Sequence, residues 1–356
     1  MTLAPYALIN LAAIKHNIEK VRDYAPNAKI MAVIKANAYG HGLLRIAEVL
    51  NDVEAVAVAR VCEGIQLRQS GFKKRITVLE GVVSEQELKD FTQYELDVVV
   101  HSVGQLDILE KYHGQKKLSV WLKLDTGMSR LGVSGTEFTS IYQRLLDCSC
   151  VNNPIFFMTH LSSADELDSS VTLQQIKCFE EKVKPYTEEK SIANSAGIMA
   201  WPDSISDWVR PGIMLYGVSP FSDSTGEMLG LKPVMSLHSR LISVKDIDAS
   251  VAVGYAGTWV SEAKTKLGIV AIGYGDGYPR YAKTGTPVLV NGKRVPLVGR
   301  VSMDTITVDL NSQQNAKAGD PVTLWGDGLA IEEIAHYADT IPYTLLCGIT
   351  QRVEKR

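Results

Sequence analysis

Eight short apolar runs alternate with helix-like segments over roughly the first 210 residues, and this alternation constrains the fold more than any other feature of the sequence. Strands that alternate with helices form parallel βαβ units, and eight such units predict a closed (β/α)8 barrel rather than an open sheet. The runs are Lys29 to Ile34, Ala55 to Val58, Arg75 to Leu79, Leu96 to Val100, Leu118 to Leu124, Ile155 to Thr159, Ser191 to Ala193 and Trp208 to Val209.

After about Pro220 the helix-like segments become rare, and β-rich runs follow one another with Gly, Pro and Asn-Gly turns between them. The segment from Val288 to Val298 indicates a hairpin, because Asn291-Gly292 at its centre suits a type I′ turn. We therefore predict an α/β plus β chain: a TIM-type barrel over residues 8–231 and a mostly β domain over residues 232–356. A strand at residues 1–7 is expected to join the second domain.

Charge and cysteine content exclude several classes of protein. The chain has 37 Lys and Arg against 40 Asp and Glu, a net charge of −3, so no overall field would hold a nucleic acid. None of the five cysteines lies in a paired zinc-ligand spacing, and no metal is expected. Charged residues interrupt the N-terminal segment, and no apolar run reaches membrane-spanning length. We expect a cytoplasmic protein without a membrane partner.

Polar side chains follow the predicted barrel strands, at the end where barrels carry their ligand sites. They are Lys35, Glu80, His101, Lys123, Arg130, His160, Asn194, Ser195 and Arg210. Lys35 is the most distinctive, because the apolar run Met31-Ala32-Val33-Ile34 leads directly into it. A lysine at an apolar barrel mouth loses its proton more easily and can form a Schiff base with an aldehyde cofactor. A purely structural lysine is the alternative.

The residues around Lys35 resemble a known signature. The run Ala32-Val33-Ile34-Lys35-Ala36-Asn37-Ala38-Tyr39-Gly40-His41-Gly42 is similar to the pyridoxal-phosphate attachment site of bacterial alanine racemases. Further blocks resemble that family in the family's order: Lys123 to Gly132, Trp208 to Gly217, Val253-Gly254-Tyr255, Gly273 to Arg280 and Gly299 to Asp304. The resemblance covers nearly the whole chain and implies the same barrel-plus-β organisation.

The resemblance implies two acid/base groups on opposite faces of the substrate. Lys35 would hold pyridoxal 5′-phosphate and handle the α-proton of D-alanine, while Tyr255 would handle that of L-alanine. By position, His160 is similar to the histidine that links this tyrosine to an arginine facing the cofactor ring. That arginine corresponds to Arg210, where a permanent cation would disfavour protonation of the ring nitrogen.

The family's remaining site residues fall on matching positions of this chain. For cofactor binding these are Tyr39, Asn194, Ser195, Gly212, Ile213 and Tyr343, the phosphate being held by hydroxyls and by the amides of Gly212 and Ile213. For substrate binding they are Arg130 and the amide of Met303. Lys123 resembles a lysine that is often carbamylated to orient the arginine, Tyr274 would line the substrate channel, and Asp304 would support Met303. The resemblance further implies a homodimer that shares its sites between subunits and supplies D-alanine for peptidoglycan.

Two other functions remain open at this point. Another barrel enzyme of this kind, such as a racemase acting on serine or an amino-acid decarboxylase, would use the same cofactor. The decarboxylases lack the Gly-Tyr block that contains Tyr255, whereas a broader racemase differs only in a few side chains around Tyr343 and Tyr274. A non-catalytic cofactor-binding protein of the single-barrel kind is the third interpretation, but such proteins lack the second domain.

Overall fold

The structure, a computed structural model, describes residues 4–356, which form two compact units. The barrel unit contains residues 15–38 and 43–215, and the β unit contains residues 4–14, 39–42 and 216–356. The β unit begins at Tyr216, earlier than the predicted boundary at residue 231, because the Tyr216 carbonyl accepts a hydrogen bond from the Val234 amide at 3.1 Å. Of the predicted N-terminal strand, residues 1–3 lie outside the described residues, and strand β1 spans Tyr6–Ile9.

Eight parallel strands close into a barrel, each hydrogen-bonded to the next and the last to the first. They are β2 (Lys29–Val33), β3 (Ala55–Val58), β4 (Arg75–Val78), β5 (Asp97–Val100), β6 (Val120–Lys123), β7 (Phe156–Met158), β8 (Lys190–Ser191) and β9 (Trp208–Val209). Every strand residue is buried except the first residues of β2, β4 and β8, as expected of parallel strands covered on both faces. The predicted (β/α)8 barrel is confirmed.

Helices follow the strands, and two of them begin at serines whose side chains cap them. The Ser84 and Ser102 hydroxyls accept hydrogen bonds from the Glu87 and Gln105 amides at 3.2 and 3.4 Å, so helices start soon after β4 and β5. The α-helices along this part of the chain are Leu11–Tyr24, Leu43–Ala47, Val61–Gln69, Glu85–Gln93, Val103–Glu110, Phe138–Asp147, Ser170–Val183 and Ser195–Ala200, and the 3-10 turns are Pro202–Ser204 and Ile213–Tyr216.

The β unit is built around one long strand that the sequence analysis missed. Strand β10 (Met235–Ile247) pairs with β1, β13 and β17 in an eight-stranded sheet. The other strands are β11 (Ala252–Val253), β12 (Trp259–Val260), β13 (Thr265–Val270), β14 (Pro287–Val290), β15 (Lys293–Pro296), β16 (Ile306–Asp309), β17 (Pro321–Trp325) and β18 (Glu354–Lys355). The helices Ile331–Tyr337 and Pro342–Gly348 lie near the C-terminus, and 3-10 turns occur at Glu227–Leu229, Tyr255–Gly257 and Tyr274–Asp276.

The predicted hairpin is confirmed. Strands β14 and β15 pair antiparallel, and the two residues between them, Asn291 and Gly292, have φ angles of 50° and 75°. Two successive positive φ angles are what a type I′ turn requires. No helix within residues 4–356 is long and apolar enough to cross a membrane.

Candidate active site

Lys35 lies at the carboxyl end of β2, immediately after the fully buried Ile34. The next three residues, Ala36, Asn37 and Ala38, have φ of 53° to 56° and ψ of 44° to 54°, which makes a left-handed turn. Such a turn costs about 1–2 kcal/mol per residue for side chains other than glycine, and strained backbone of this kind clusters at functional sites. The turn is fixed by the Asn37 side chain, whose Oδ1 accepts a hydrogen bond from the Leu43 amide at 2.8 Å.

The loop after β6, which contains Arg130, is ordered by hydrogen bonds to Asp125. Asp125 Oδ1 accepts hydrogen bonds from the amides of Gly127 and Ser129 at 2.9 and 3.1 Å. Gly132 has a φ of +144°, and a Cβ there would lie only 2.4 Å from the Asp125 amide nitrogen, so the return of the chain needs glycine. These contacts give Arg130 a defined place after Lys123, the last residue of β6.

Four cations act on one another at this end of the barrel. Burial, together with the neighbouring Arg210, Arg130 and Lys35, lowers the pKa of Lys123 to about 8, although Asp125 acts in the opposite direction. Burial and the same positive groups, with Lys123 among them, hold the pKa of His160 well below its ordinary value. The imidazole of His160 is therefore neutral at pH 7. An anionic ligand would relieve this repulsion.

Arg210 is buried and firmly held. Its guanidinium donates hydrogen bonds to the Ser191 hydroxyl and to the carbonyls of Thr159 and Ile192. Burial lowers the pKa of Arg210 to about 10, so the group keeps its charge at neutral pH. These partners come from the ends of β7 and β8, which fixes the guanidinium at the barrel mouth.

Asn194 and Ser195 organise the segment between β8 and β9. The Asn194 side chain caps the helix Ser195–Ala200 by accepting a hydrogen bond from the Gly197 amide at 2.9 Å. The Ser195 hydroxyl accepts hydrogen bonds from the amides of Gly212 and Met214 at 2.9 and 3.4 Å. Hydroxyl and amide donors, with Ile213 between the two amides, thus lie together at a usual phosphate position in barrels.

Tyr39 belongs to the β unit, where it lies among aromatic rings. Its ring stacks on Tyr216 at 4.7 Å between centroids and lies 5.9 Å from that of Tyr343. Burial raises the pKa of Tyr39 far above its ordinary value, so the phenol stays protonated and can donate a hydrogen bond. Gly40 follows with a φ of +83°, and a Cβ there would lie 2.1 Å from the Leu346 carbonyl oxygen.

Two turns of the β unit bring Tyr274 and Met303 together. The amides of Tyr274 and Gly275 donate to the carbonyls of Ser302 and Met303 at 3.0 and 2.8 Å. Asp304 follows in the second turn and forms an ion pair with Arg352 at 2.7 Å. The side chains of Tyr274 and Met303 are 40% and 52% exposed, which is unusual for large apolar groups.

Tyr255 lies on a separate turn of the β unit and is 65% exposed. Gly254 before it has a φ of 73°, and Ala256 after it has a φ of 60°, so the turn holds the phenol outside the sheet. A Cβ on Gly299 would lie 3.0 Å from the Val253 carbonyl oxygen, which shows that this turn packs against the segment containing Arg300.

The residues expected at the site therefore form groups within each unit. One group lies at or after the carboxyl ends of the barrel strands and consists of Lys35, Lys123, Arg130, His160, Asn194, Ser195, Arg210, Gly212 and Ile213. In the β unit, Tyr39 lies beside Tyr343, and Tyr274 lies beside Met303 and Asp304. Arg352 and the left-handed turn were not predicted, because a lone arginine near the C-terminus and alanines in a left-handed conformation carry no sequence signal.

The chain matches known proteins over nearly its whole length. The family model for the alanine racemase N-terminal domain matches residues 9–220, and that for the C-terminal domain matches residues 234–356. An alanine racemase of Aeromonas hydrophila is 50% identical over 350 residues, 98% of both chains. The crystal structure of the biosynthetic alanine racemase of Pseudomonas aeruginosa has a TM-score of 0.97 and 40% identity, covering 100% of this chain and 99% of that one.

A further solved structure contains the cofactor. It is the alanine racemase of Bartonella henselae with covalently bound pyridoxal phosphate, with a TM-score of 0.90 and 28% identity over 100% of this chain and 99% of that one. Full-length identity of this degree, together with both domain matches, establishes the family. The chain belongs to the alanine racemase family and is an amino-acid isomerase.

Proposed function

We propose that this chain interconverts L-alanine and D-alanine with pyridoxal 5′-phosphate held on Lys35, using Lys35 and Tyr255 as the two acid/base groups. The observation that carries the proposal is the cluster of cations around His160, with Lys35 among them, at the carboxyl end of the barrel. A phosphorylated aldehyde suits this cluster, because it needs an amine for attachment and positive groups for its anion. Family membership supports the alanine substrate.

The residues present fit this cofactor. Ser195 and the amides of Gly212 and Ile213 would bind the phosphate, with the Tyr39 and Tyr343 phenols as further donors and Asn194 holding the Ser195 helix in place. When bound, the cofactor supplies a conjugated ring that spreads the charge left on the α-carbon of the amino acid.

Lys35 Nζ would take and return the α-proton on one face of the substrate. The buried strand before it and the left-handed turn after it limit the positions that its amine can reach. Tyr255 Oη would do the same on the opposite face, with Lys35 serving D-alanine and Tyr255 serving L-alanine. Racemisation needs both groups, because a single base would return the proton to the face it came from.

Arg210 and His160 would set the electrostatics of the reaction. Arg210 would face the ring nitrogen of the cofactor, where its charge disfavours a proton. A neutral His160 next to it can accept a hydrogen bond from one group and donate to another, which suits a link between Arg210 and Tyr255. Together they would limit side reactions that require a protonated ring.

The substrate carboxylate would bind between Arg130 and the amide of Met303. Lys123 would orient Arg130, and its lowered pKa leaves part of the amine neutral and able to be carbamylated. Tyr274 would line the channel that leads to the site, and Asp304 would support Met303.

Because Tyr255 and Met303 belong to the β unit and Lys35 belongs to the barrel unit, we further propose a homodimer whose sites are shared between subunits. The protein would act in the cytoplasm, and its proposed role is to supply D-alanine for peptidoglycan synthesis.

Isotope exchange tests this proposal. The purified holoenzyme is incubated with L-alanine, and separately with L-serine, in deuterium oxide, while α-proton exchange and optical rotation are followed. We expect exchange and loss of rotation with L-alanine. A yellow, borohydride-sensitive chromophore without exchange of either amino acid would instead indicate a cofactor carrier, and faster exchange of L-serine would indicate a broader racemase.

Replacing Tyr255 with Phe tests the assignment of the two faces. Loss of the phenolic oxygen should slow proton removal from L-alanine about 100-fold or more, and that from D-alanine by much less. Single-turnover exchange in deuterium oxide, started from each enantiomer, separates the two steps. Equal slowing from both enantiomers would contradict the assignment.

A further inference from the structure

We propose that Arg352 is a positioning residue for the substrate carboxylate, because it links the turn that carries Tyr274 to the turn that carries Met303. This inference rests on the proposed role of the Met303 amide and extends it to a residue near the C-terminus. Arg352 lies outside every block of the sequence that resembled the family.

The guanidinium of Arg352 forms two ion pairs, one with each turn. Its Nε lies 3.1 Å from Asp276 Oδ1, at the end of the turn Tyr274–Asp276. Its Nη2 lies 2.7 Å from Asp304 Oδ1, directly after Met303. Asp276 is 2% exposed, so its carboxylate has little access to water and depends on protein partners.

Asp276 in turn organises its own loop. Its Oδ2 accepts a hydrogen bond from the Gly273 amide at 3.0 Å, and its carbonyl accepts one from the Thr350 amide at 3.1 Å. The Thr350 hydroxyl donates to the Gly275 carbonyl at 2.9 Å. The segment that contains Arg352 is thereby attached to the first turn by its backbone as well as by its side chain.

The two turns are in direct contact. A Cβ on Gly273 would lie 2.3 Å from the Ser302 carbonyl oxygen, and a Cβ on Gly275 would lie 2.5 Å from Arg352 Nη1. A side chain at Gly273 would overlap the backbone of the second turn, and one at Gly275 would displace the Arg352 guanidinium. The arginine therefore connects a small contiguous assembly that consists of residues 273–277, 302–305 and 350–352.

This assembly determines the direction of the Met303 amide. The Ser302 carbonyl accepts a hydrogen bond from the Tyr274 amide, and in a trans peptide the following N–H points the opposite way. The Met303 N–H therefore points away from the first turn. Within residues 4–356 it donates no hydrogen bond, so it remains able to bind an anion. Loss of the Arg352 ion pairs would let this amide change direction.

The test compares Arg352→Ala with the matched control Arg294→Ala. Arg294 is similarly exposed and is paired through its guanidinium with the carboxylate of Glu333, but it touches neither turn. Two readouts are used: amide hydrogen exchange of residues 273–277 and 302–305, and the affinity of the holoenzyme for propionate. Propionate has the carboxylate of alanine but no amine, so it reports carboxylate binding without chemistry.

We expect Arg352→Ala to speed exchange in both turns about tenfold. The Kd of propionate and the KM of alanine should rise by a similar factor, the usual scale for weakening one charge-assisted hydrogen bond, with kcat within threefold of the original. Arg294→Ala should change none of these, and Arg352→Lys should restore part of the affinity. Unchanged exchange, an unchanged propionate Kd, or a fall in kcat alone would overturn the proposal.

If Arg352→Ala does not fold, Asp304→Asn replaces it, since this change weakens one ion pair and keeps the shape of the side chain. It should raise the propionate Kd severalfold, and an unchanged Kd would overturn the proposal. Failure of the proposed function looks different: the unaltered holoenzyme would then fail to exchange the α-proton of alanine or to bind propionate. Hydrogen exchange would still decide whether Arg352 holds the two turns together.

Discussion

The two ends of the barrel treat positive charge in opposite ways. At the amino-terminal end, strands β2, β4 and β8 each begin with a basic residue, and each of these is paired with a carboxylate: Lys29 with Glu189, Arg75 with Asp97, and Lys190 with Glu180. At the carboxyl end, Lys35, Lys123, Arg130 and Arg210 lie close enough to lower the pKa of one histidine together.

This difference separates stability from function within one barrel. At the amino-terminal end, each basic residue is neutralised by a carboxylate of the protein itself, so this end needs no ligand. Clustered cations at the carboxyl end destabilise one another until an anion binds, so their arrangement makes sense only with a ligand. The comparison predicts that substitutions at one end change the free energy of unfolding and those at the other change activity.

The largest expected effect comes from the two ends of strand β2. Lys35→Ala should reduce alanine racemisation at least about 1000-fold and remove the borohydride-sensitive chromophore, because the attachment amine is lost. Lys29→Ala, at the other end of the same strand, should leave activity unchanged and lower the free energy of unfolding by about 1 kcal/mol or less, since its ion pair is exposed. Racemisation assays and urea unfolding measure the two quantities. Comparable loss of activity in both variants would contradict the division.

A smaller effect is expected from Arg75 at the amino-terminal end. Its guanidinium pairs with the buried Asp97 and lies 4.6 Å from the Phe156 ring. Arg75→Met should lower the free energy of unfolding by about 2–3 kcal/mol, because it leaves a buried carboxylate without its cation. The loss is not larger because one third of the arginine side chain is exposed to water. Urea unfolding monitors the change, with kcat per folded molecule as the control. Adding Asp97→Asn should recover part of the loss, and no recovery would argue against a charge effect.

The smallest expected effect is a pKa shift at His160. Lys123 is one of the cations that disfavour the protonated imidazole, so Lys123→Met should raise the pKa of His160. Burial is the larger cause, and the pKa should therefore stay below its ordinary value. Nuclear magnetic resonance of labelled histidine across a pH series measures this shift. Lys29→Met should leave it unmoved, and an equal shift in both variants would contradict the local origin.

Much of the fold could be predicted because most barrel strands are continuous apolar runs. Continuous apolar runs such as Ala55–Val58 indicate strands buried on both faces, and Asn291-Gly292 indicates its hairpin turn. Strand β10 was missed because its first seven residues alternate between buried and half-exposed and the rest are mostly exposed. It also includes His238, Arg240 and Lys245, so it lacks a continuous apolar run. The two C-terminal helices were missed because each has only seven residues.

The strand pattern indicated where polar residues collect, but only motifs indicated what they do. Lys35 and Arg130 were placed at the barrel mouth by the strands before them, whereas the proposed roles of Arg130 and Met303 depended on resemblance, since nothing in their spacing specifies a carboxylate site. Arg352 could not be found, because its role depends on ion pairs with Asp276 and Asp304, which lie 76 and 48 positions earlier in the chain. Ion pairs between residues so far apart in the chain leave no periodic pattern.

The left-handed turn after Lys35 has a consequence for engineering. Ala36 and Ala38 occupy backbone conformations that glycine adopts without strain, so glycine there would relieve about 1–2 kcal/mol at each position. Part of that gain would be lost to the greater freedom of an unfolded chain with more glycine, and the folded turn would become looser. A search for thermostable variants would thus find favourable substitutions beside Lys35, the proposed attachment lysine, and these would be the ones most harmful to turnover.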